Sequence, residues 1–142
     1  MSEELPFLTK IAPSDLYGEM WEFVEKGLKA IVAECPTVPW RPDDVRRCIF
    51  RGAASLYARP EGFVVMQRVH EEISGAPYLN VWAIWFQPGK ASAMRQELLE
   101  WLRYSCRATC SEWFEGTSTR EGWGRALEGV CDVAMVTWRM RP

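Results

Sequence analysis

The stretch Tyr78–Leu102, YLNVWAIWFQPGKASAMRQELLEWL, decides the fold of this chain. Its first part, Tyr78–Phe86, is almost entirely apolar and predicts a strand, while apolar residues at helical spacing beyond Ser92 predict an amphipathic helix. A short loop containing Gly89 joins the two elements. Such a junction aims the loop N–H groups and the positive end of the helix dipole at one point. The stretch therefore predicts a site suited to a phosphate group.

The length and composition of the chain indicate one domain. The chain has 142 residues, of which 48% are hydrophobic, and this is enough for one substantial core. We therefore expect a single domain over residues 1–142, in which residues 1–13 form a lead-in or a first short strand.

Charge and hydropathy narrow the choice of partners. The formal net charge is −2, and the arginines alternate with carboxylates, so nucleic acid is not favoured. We expect a protein partner or self-assembly as a homo-oligomer. No apolar run approaches the ~18 residues of a membrane span, and the acidic start MSEELPFLTK is not an export signal. A cytoplasmic location is expected.

The five cysteines indicate neither a disulfide framework nor a metal site. Their number is odd, and Cys106 and Cys110 lack a CxxC pair or a nearby histidine to complete a ligand set. We expect free thiols and no metal.

Two helices are predicted before the first long strand. Ser14 or Asp15 caps the first helix, whose apolar residues recur at helical spacing over Leu16–Val32. The second helix begins at Pro42 and stops at Gly52, where each residue type is favoured.

Glycines and arginines within these helices leave alternatives open. Gly18 and Gly27 indicate either a close approach or bend, or tolerated surface positions. Arg46, Arg47 and Arg51 predict a solvated face, and the alternative is a specific anion-binding role.

The hydrophobic pattern then changes to that of strands. Ser55–Arg59, Phe63–Val69 and Tyr78–Phe86 are separated by turn signals and predict an antiparallel meander. In the third strand both sets of alternate residues are largely apolar. One predicted face consists of Leu79, Val81, Ala83 and Trp85. We therefore expect this strand in the middle of a sheet with helices on both sides.

Three further elements follow the junction helix, which we expect to end near Cys106. Ser111–Glu115 predicts a strand, Arg120–Leu127 a short helix and Cys131–Arg139 a final strand. The complete order predicts an α/β (α+β) fold with a mixed, mostly antiparallel sheet of about 5–7 strands and helices on both faces.

This order, with a glycine-containing turn after the third meander strand, resembles the GNAT superfamily of acyl-CoA-dependent N-acetyltransferases. The resemblance covers roughly residues 11–140 and implies a GNAT-like domain that binds acetyl-CoA. The family turn reads as a basic residue or glutamine, two residues, glycine, any residue, then glycine or alanine. The pattern falls on Pro88–Ala93. Pro88 then takes the leading position, unless Gln87 substitutes from one position earlier. Ala91 takes the central glycine position, and Ala93 conforms to the closing position.

The resemblance implies which residues would hold the coenzyme A pyrophosphate. They are Gln87, Gly89, Lys90, Ala91, Ser92 and Ala93. A glycine in place of Ala91 would allow a positive φ and a close approach to the phosphates, which a Cβ restricts. The charge of Lys90 offsets part of that loss.

An N-acetyltransferase also needs a base for the attacking amine and often an acid for the leaving thiolate. Glu71, Glu72 and Glu115 are the candidate bases, each with the alternative of a solvated loop carboxylate. The resemblance places the acid, a tyrosine, near Trp123 and Gly124, and neither residue can donate that proton.

A second resemblance is to small GNAT-like proteins of tailed bacteriophages. It rests on the tryptophan-rich strand Val81–Trp85, the loop Gly89–Ala91 and Gly129. It implies that the fold serves as an assembly module from which activity has been lost. It also implies assembly within a virion, and a location there, if a phage encodes the protein.

Two functions of different classes follow, and whether the protein is an enzyme stays open between them. The first is a non-catalytic binding or structural module, including a phage virion component, and the sequence favours it because the loop departs from the family pattern. Such a module would expose tryptophans such as Trp21, Trp40, Trp113 or Trp123. The alternative is an active acetyl-CoA-dependent N-acetyltransferase acting on a small amine or a protein amine. A third hypothesis is a regulatory module that binds acyl-CoA without transferring the acyl group.

Overall fold

A single sheet of seven strands organises the residues that the structure describes. The computed structural model describes residues 6–117, 132–134 and 137–140. The strands are β1 (Thr9–Ile11), β2 (Ser55–Arg59), β3 (Gly62–His70), β4 (Pro77–Phe86), β5 (Phe114–Thr117), β6 (Asp132–Ala134) and β7 (Thr137–Met140). The helices in these ranges are α1 (Gly18–Glu34), α2 (Pro42–Phe50) and α3 (Lys90–Ala108), with a short 3-10 helix at Pro13–Asp15.

The strands lie in the order β1-β2-β3-β4-β5-β7-β6. Every described pair of neighbours is antiparallel except β4 and β5, which run parallel. Parallel neighbours need a long crossover connection, and α3 lies within it. The prediction of a mixed, mostly antiparallel sheet of 5–7 strands is confirmed.

Helices cover both faces of the sheet, as predicted. α1 and α2 pack on one face, here called the helix-pair face, and α3 packs on the other, the α3 face. Buried residues of the helix-pair face include Val24, Leu28, Val45, Ile49, Leu56 and Phe63. Those of the α3 face include Val64, Leu98, Leu102, Cys106 and Phe114. Each large apolar side chain buried in this way stabilises the fold by roughly 1.5–3 kcal/mol.

Gly27 allows α1 to approach the sheet closely. A Cβ at this position would clash with the Phe63 ring and would lie 2.8 Å from the Trp85 ring. Phe23, one turn earlier, packs edge-on against the same two rings. Of the two interpretations left open for Gly27, close approach is the one that the structure supports.

A β-bulge interrupts the pairing of β3 and β4. Met66 lies opposite Val81 and Val65 lies opposite Ala83, so Trp82 is the extra residue on β4. A bulge of this kind shifts the alternation of side chains by one position and bends the strand.

The bulge corrects the prediction that Leu79, Val81, Ala83 and Trp85 share one face. Leu79 and Val81 belong to the buried cluster of the α3 face. Ala83 and Trp85 belong to the cluster of the helix-pair face. The prediction was wrong because strict alternation cannot include an inserted residue, and pairing with β3 places that residue at Trp82.

The first helix begins later than predicted. α1 starts at Gly18 after Tyr17, so neither Ser14 nor Asp15 is its N-cap. Those two residues lie in the 3-10 helix, in which Asp15 donates its N–H to the carbonyl of Ala12 at 2.8 Å. This turn brings Leu16 into the core, where it is fully buried, before α1 begins.

The last part of the chain differs from the prediction in two places. Two short antiparallel strands, β6 and β7, replace the single strand predicted over Cys131–Arg139, since alternation alone cannot distinguish one strand from two. β5 begins at Phe114 and not at Ser111, because Ser111 is buried in the turn that follows α3. The helix predicted over Arg120–Leu127 lies outside the described residues.

No helix in the described part of the chain is long and apolar enough to cross a membrane.

Candidate functional site

The parallel strands β4 and β5 separate beyond a short paired region. They are in register over Leu79–Val81 and Phe114–Gly116, yet β4 continues to Phe86. Within the described residues, no strand pairs with the β5-facing edge of β4 after Val81. The bulge at Trp82 begins where the strands part, and it adds local twist. The sheet therefore opens beside the second half of β4.

The N-terminus of α3 lies at the end of β4, next to this opening. Gly89 is its N-cap residue with φ +81°, and no side chain caps the helix. The first-turn N–H groups of an α-helix have no acceptor within the helix. Lys90 donates to the carbonyl of Gln87 at 3.0 Å, and the next two positions are Ala91 and Ser92. An uncapped first turn of this kind favours an anion.

The space beside Gly89 is open. A Cβ built on this residue would meet no atom within 4 Å, and Gln87, Pro88, Gly89 and Lys90 are all exposed. A ligand can therefore approach the backbone here without displacing a side chain among the described residues.

The left-handed residue of the loop is Gly89, two positions before the one predicted. Ala91 is the second residue of α3 and lies in the helix, where its backbone needs no glycine. The restriction expected from the Cβ of Ala91 on a positive φ therefore does not arise at this position, because the helix begins earlier than the family spacing implied. The dipeptide Pro88-Gly89 is a turn signal that could have located this residue from the sequence.

The turn between β2 and β3 holds the loop in place through hydrogen bonds. Gln87 donates its backbone N–H to the carbonyl of Glu61 at 2.8 Å, and its side-chain amide lies 3.5 Å from the carbonyl of Pro60. Arg59 Nε donates to Glu61 Oε2 at 2.7 Å, and the Arg59 guanidinium lies 4.5 Å from the centre of the Phe7 ring. This hydrogen bond from Arg59 is the main reason that the pKa of Glu61 lies below its ordinary value.

Glu71 and Glu72 lie at the opposite end of β4 from the loop. Glu71 Oε2 accepts hydrogen bonds from the N–H groups of Ile73 and Ser74 and from Ser74 Oγ, at 2.7 Å for the hydroxyl. Glu71 thus stabilises the turn between β3 and β4. The ten residues of β4 separate this turn from Gly89 by roughly 30 Å.

Glu115 lies close to the opening, unlike the other two candidate bases. In the register of β4 and β5 it is opposite Asn80, one position before the strands part. Trp113 donates its indole N–H to Glu115 Oε2 at 3.2 Å. In the register of β5 and β7, Glu115 also stands opposite Arg139.

Two further polar residues, Gln67 and Asn80, lie next to Glu115 in the sheet, and neither was expected from the sequence. Asn80 Nδ2 donates to Gln67 Oε1 at 3.2 Å, so Gln67, Asn80 and Glu115 form a row over β3, β4 and β5. All three are half-buried. We call them the polar row. An asparagine inside an otherwise apolar strand is the sequence signal that could have found it.

Aromatic rings flank the polar row. Tyr78 and Trp113 stack at 5.1 Å with an interplanar angle of 6°. Trp82 meets Trp40 edge-on at 6.1 Å, which brings the connection between α1 and α2 to the opening. Arg41 Nη1 stabilises that connection by donating to the carbonyls of Val38 and Trp40 at 3.0 and 2.9 Å.

Two of the four tryptophans proposed for an exposed patch, Trp21 and Trp113, are buried. Trp21 and Trp113 are only 8% and 6% exposed, because Trp21 packs in the buried cluster of the helix-pair face and Trp113 stacks on the Tyr78 ring. Trp40 is half-buried against Trp82. Trp123 lies outside the described residues, as do Gly124 and Gly129.

The prediction of a solvated arginine face on α2 is wrong for Arg46. Its guanidinium lies 4.5 Å from the ring centre of Trp21 and 5.4 Å from that of Phe50. Arg46 Nη2 also donates to the carbonyl of Leu16 at 3.2 Å, so this residue connects α2 to the start of α1. Arg47 pairs with Asp44 at 3.5 Å on the surface.

Within the described ranges, no three His, Cys, Asp or Glu side chains are grouped in a way that could hold a metal ion. Cys35, Cys48, Cys106 and Cys110 are free thiols. Burial raises the pKa of the Cys106 thiol, which lies 3.3 Å from the carbonyl of Ser111.

Comparisons with known proteins place the fold. No protein-family model matches the chain, and no curated protein matches it. Among solved structures, a ribosomal-protein-alanine N-acetyltransferase from Brucella melitensis biovar Abortus 2308 has a TM-score of 0.64 at 16% identity, covering 90% of this chain and 93% of the other. An acetyltransferase of the GNAT family from Listeria monocytogenes 4b F2365 has a TM-score of 0.63 at 8% identity, covering 96% and 94%. The NatC complex bound to Gag peptide and CoA contains a chain with a TM-score of 0.58 at 8% identity, covering 85% and 92%.

Proposed function

We propose that this chain, which has the GNAT fold, is an acetyl-CoA-dependent N-acyltransferase that acts on an amine at the opening between β4 and β5. The observation that carries the proposal is the uncapped N-terminus of α3, which lies at Gly89 directly beside the free edge of β4. A left-handed glycine, an open approach and an uncapped first turn together suit a pyrophosphate.

The residues of the loop fit coenzyme A in chemical terms. The N–H groups of Gly89, Ala91 and Ser92 would hold the phosphate oxygens, and Lys90 would add a positive charge. Bound acetyl-CoA would supply a thioester whose carbonyl carbon is open to attack by an amine. No strand among residues 6–117, 132–134 and 137–140 pairs with the β5-facing edge of β4 from Trp82 to Phe86, and such an edge offers backbone groups to an extended, amide-bearing chain, as an exposed sheet edge does to a peptide.

The polar row supplies the groups for an amine acceptor. An amine that is protonated must lose a proton before its nitrogen can attack the thioester. Glu115 is the candidate base beside the opening that would accept this proton, while coenzyme A would leave as the thiolate. Its hydrogen bond from Trp113 fixes the orientation of the carboxylate. Asn80 and Gln67 would orient the acceptor by hydrogen bonds. Glu71 is a poorer choice because its carboxylate stabilises a turn at the far end of β4.

The comparisons support this reading better than a non-catalytic module. Two of the three structures above are named as acetyltransferases, and the third is named as a complex with bound CoA. None of the three is described as a virion component. The buried positions of Trp21 and Trp113 also remove part of the surface that an assembly module was expected to expose.

Thermal unfolding with acetyl-CoA tests the proposal. Acetyl-CoA at 100 times its dissociation constant should stabilise the fold by roughly 2.7 kcal/mol and raise Tm accordingly. The protein is then incubated with acetyl-CoA and a panel of amines, and free coenzyme A is measured by chromatography. Its release should exceed the hydrolysis of acetyl-CoA measured without an amine. An unchanged Tm at millimolar acetyl-CoA would refute the proposal. Binding without amine-dependent release would identify a module that senses acyl-CoA.

A further inference from the structure

A compact group of charges lies beside the loop that starts α3. Arg59 contacts Glu61 at 2.7 Å and approaches Glu97 of α3 at 4.0 Å. Arg59 and Glu61 each have 27% of the side chain exposed, whereas Glu97 is 64% exposed. Lys90 is close enough to Glu61 to contribute to the lowering of its pKa, although less than Arg59 does.

Backbone contacts keep Glu61 next to the loop. Its carbonyl accepts the N–H of Gln87 at 2.8 Å, two residues before the left-handed Gly89. Gly62 pairs with Phe86, and a Cβ on Gly62 would lie 2.6 Å from Cγ of the Phe86 ring. The turn that carries Glu61 therefore cannot move away from the start of α3 without breaking this packing.

The position of Glu61 is unfavourable for binding an anion. A carboxylate beside a phosphate site repels the phosphate unless a cation neutralises it. Arg59, Lys90, Glu61 and Glu97 together carry two positive and two negative formal charges, and removing the Arg59 charge would leave a net −1.

From this arrangement we infer that Arg59 is a positioning residue for coenzyme A: it holds and neutralises Glu61, so that the carboxylate does not repel phosphates at the N-terminus of α3. The inference rests on the proposed function, since it concerns the same loop. Arg59 is suited to this role because its guanidinium is itself held in place over the Phe7 ring, 4.5 Å from the ring centre.

A charge-balance experiment tests the inference. Acetyl-CoA affinity is measured calorimetrically at low salt for the wild-type chain and for Arg59→Met, Arg59→Lys, Glu61→Gln and the double variant Arg59→Met/Glu61→Gln. Arg68→Met serves as the matched control, because it removes the same charge from an exposed position towards the other end of β3.

The expected order follows from the formal charges. Arg59→Met should weaken binding roughly fivefold, the order of magnitude that Coulomb's law gives for one unit charge and a doubly charged group several ångströms apart in water, and the loss should shrink in high salt. Arg59→Lys should stay close to wild type, and adding Glu61→Gln to Arg59→Met should restore affinity. Arg68→Met should have little effect on acetyl-CoA affinity, because Arg68 lies towards the other end of β3 from the loop.

Two results would overturn the inference and leave the proposed function standing. The first is wild-type affinity in Arg59→Met, and the second is a loss that Glu61→Gln does not restore, since that loss would come from the packing of Arg59 on Phe7. A wild-type chain that does not bind acetyl-CoA would overturn the proposed function, and this inference with it.

Discussion

Replacement of Gly89 by alanine tests the loop at its left-handed residue. Gly89 has φ +81°, a region in which a Cβ costs roughly 1–2 kcal/mol. A Cβ there would meet no atom within 4 Å, so the cost arises from backbone conformation and not from a clash. We expect Gly89→Ala to lower the free energy of unfolding by about 1 kcal/mol. We also expect acetyl-CoA to bind about tenfold more weakly, a change of ~1.4 kcal/mol, because a relaxed loop no longer aims its N–H groups at the phosphates.

The chain contains matched controls for this change. Gly52 and Gly75 have φ +75° and +74°, and a Cβ on either would also meet no atom within 4 Å. Urea unfolding of Gly52→Ala and Gly75→Ala should show a similar loss of stability, while calorimetry should show unchanged acetyl-CoA affinity. If Gly89→Ala loses stability like the controls but keeps full affinity, the loop is not the binding site and the reasoning fails.

Four further changes test other parts of the account. Ala91→Gly should cost up to about 1 kcal/mol in urea unfolding without tightening acetyl-CoA binding, since position 91 is helical. Gly27→Ala should cost roughly 1–3 kcal/mol in the same assay, because the added methyl group overlaps aromatic rings. Glu115→Gln should lower the acetyl-transfer rate by roughly 10²–10⁴ in a steady-state assay with little change in acetyl-CoA affinity. When the pH is lowered from above to below 4.5, the free energy of unfolding should fall less for Glu61→Gln than for the wild-type chain. The pKa of Glu61 in the folded chain lies below its ordinary value of 4.5. Its contribution to stability is therefore present above pH 4.5 and is lost as the pH falls through the folded pKa.

Each of these expectations has a clear opposite. If Ala91→Gly binds acetyl-CoA more tightly, position 91 acts as the central glycine position of the family turn, contrary to its helical conformation in the structure. A neutral Gly27→Ala would mean that α1 does not approach the sheet closely. An unchanged rate in Glu115→Gln, with Glu112→Gln as an exposed control in the same segment, would remove Glu115 as the base. Equal acid sensitivity in Glu61→Gln and wild type would show that the pair with Arg59 does not stabilise the folded state.

Elements with strong local signals could be predicted from the sequence. The strand Ser55–Arg59 and the helix starting at Pro42 lie where predicted, because alternation and the preference of proline for a first helical turn depend only on neighbouring residues. The existence of α3 was predicted for the same reason, although the helix begins at Lys90, earlier than its apolar spacing indicated. The fold class followed because the order of such elements leaves few topologies.

Features that depend on distant residues could not be predicted. The bulge at Trp82 is set by pairing with β3 and by packing on both faces, and no local pattern reveals an inserted residue. The row of Gln67, Asn80 and Glu115 exists only when three strands are in register. The role of Arg46 was misread because its aromatic partners come from α1 as well as α2.

The central claim is that the N-terminus of α3 binds the phosphates of coenzyme A. Amide 1H–15N spectra of the labelled protein, recorded during an acetyl-CoA titration, test it most directly. If this first turn holds the phosphates, the N–H groups of Gly89, Ala91 and Ser92 should show large, saturable shifts, and the turn at Gly75 should show small ones. Saturable binding that leaves the first turn of α3 unshifted, or the absence of any shift at millimolar acetyl-CoA, would contradict it.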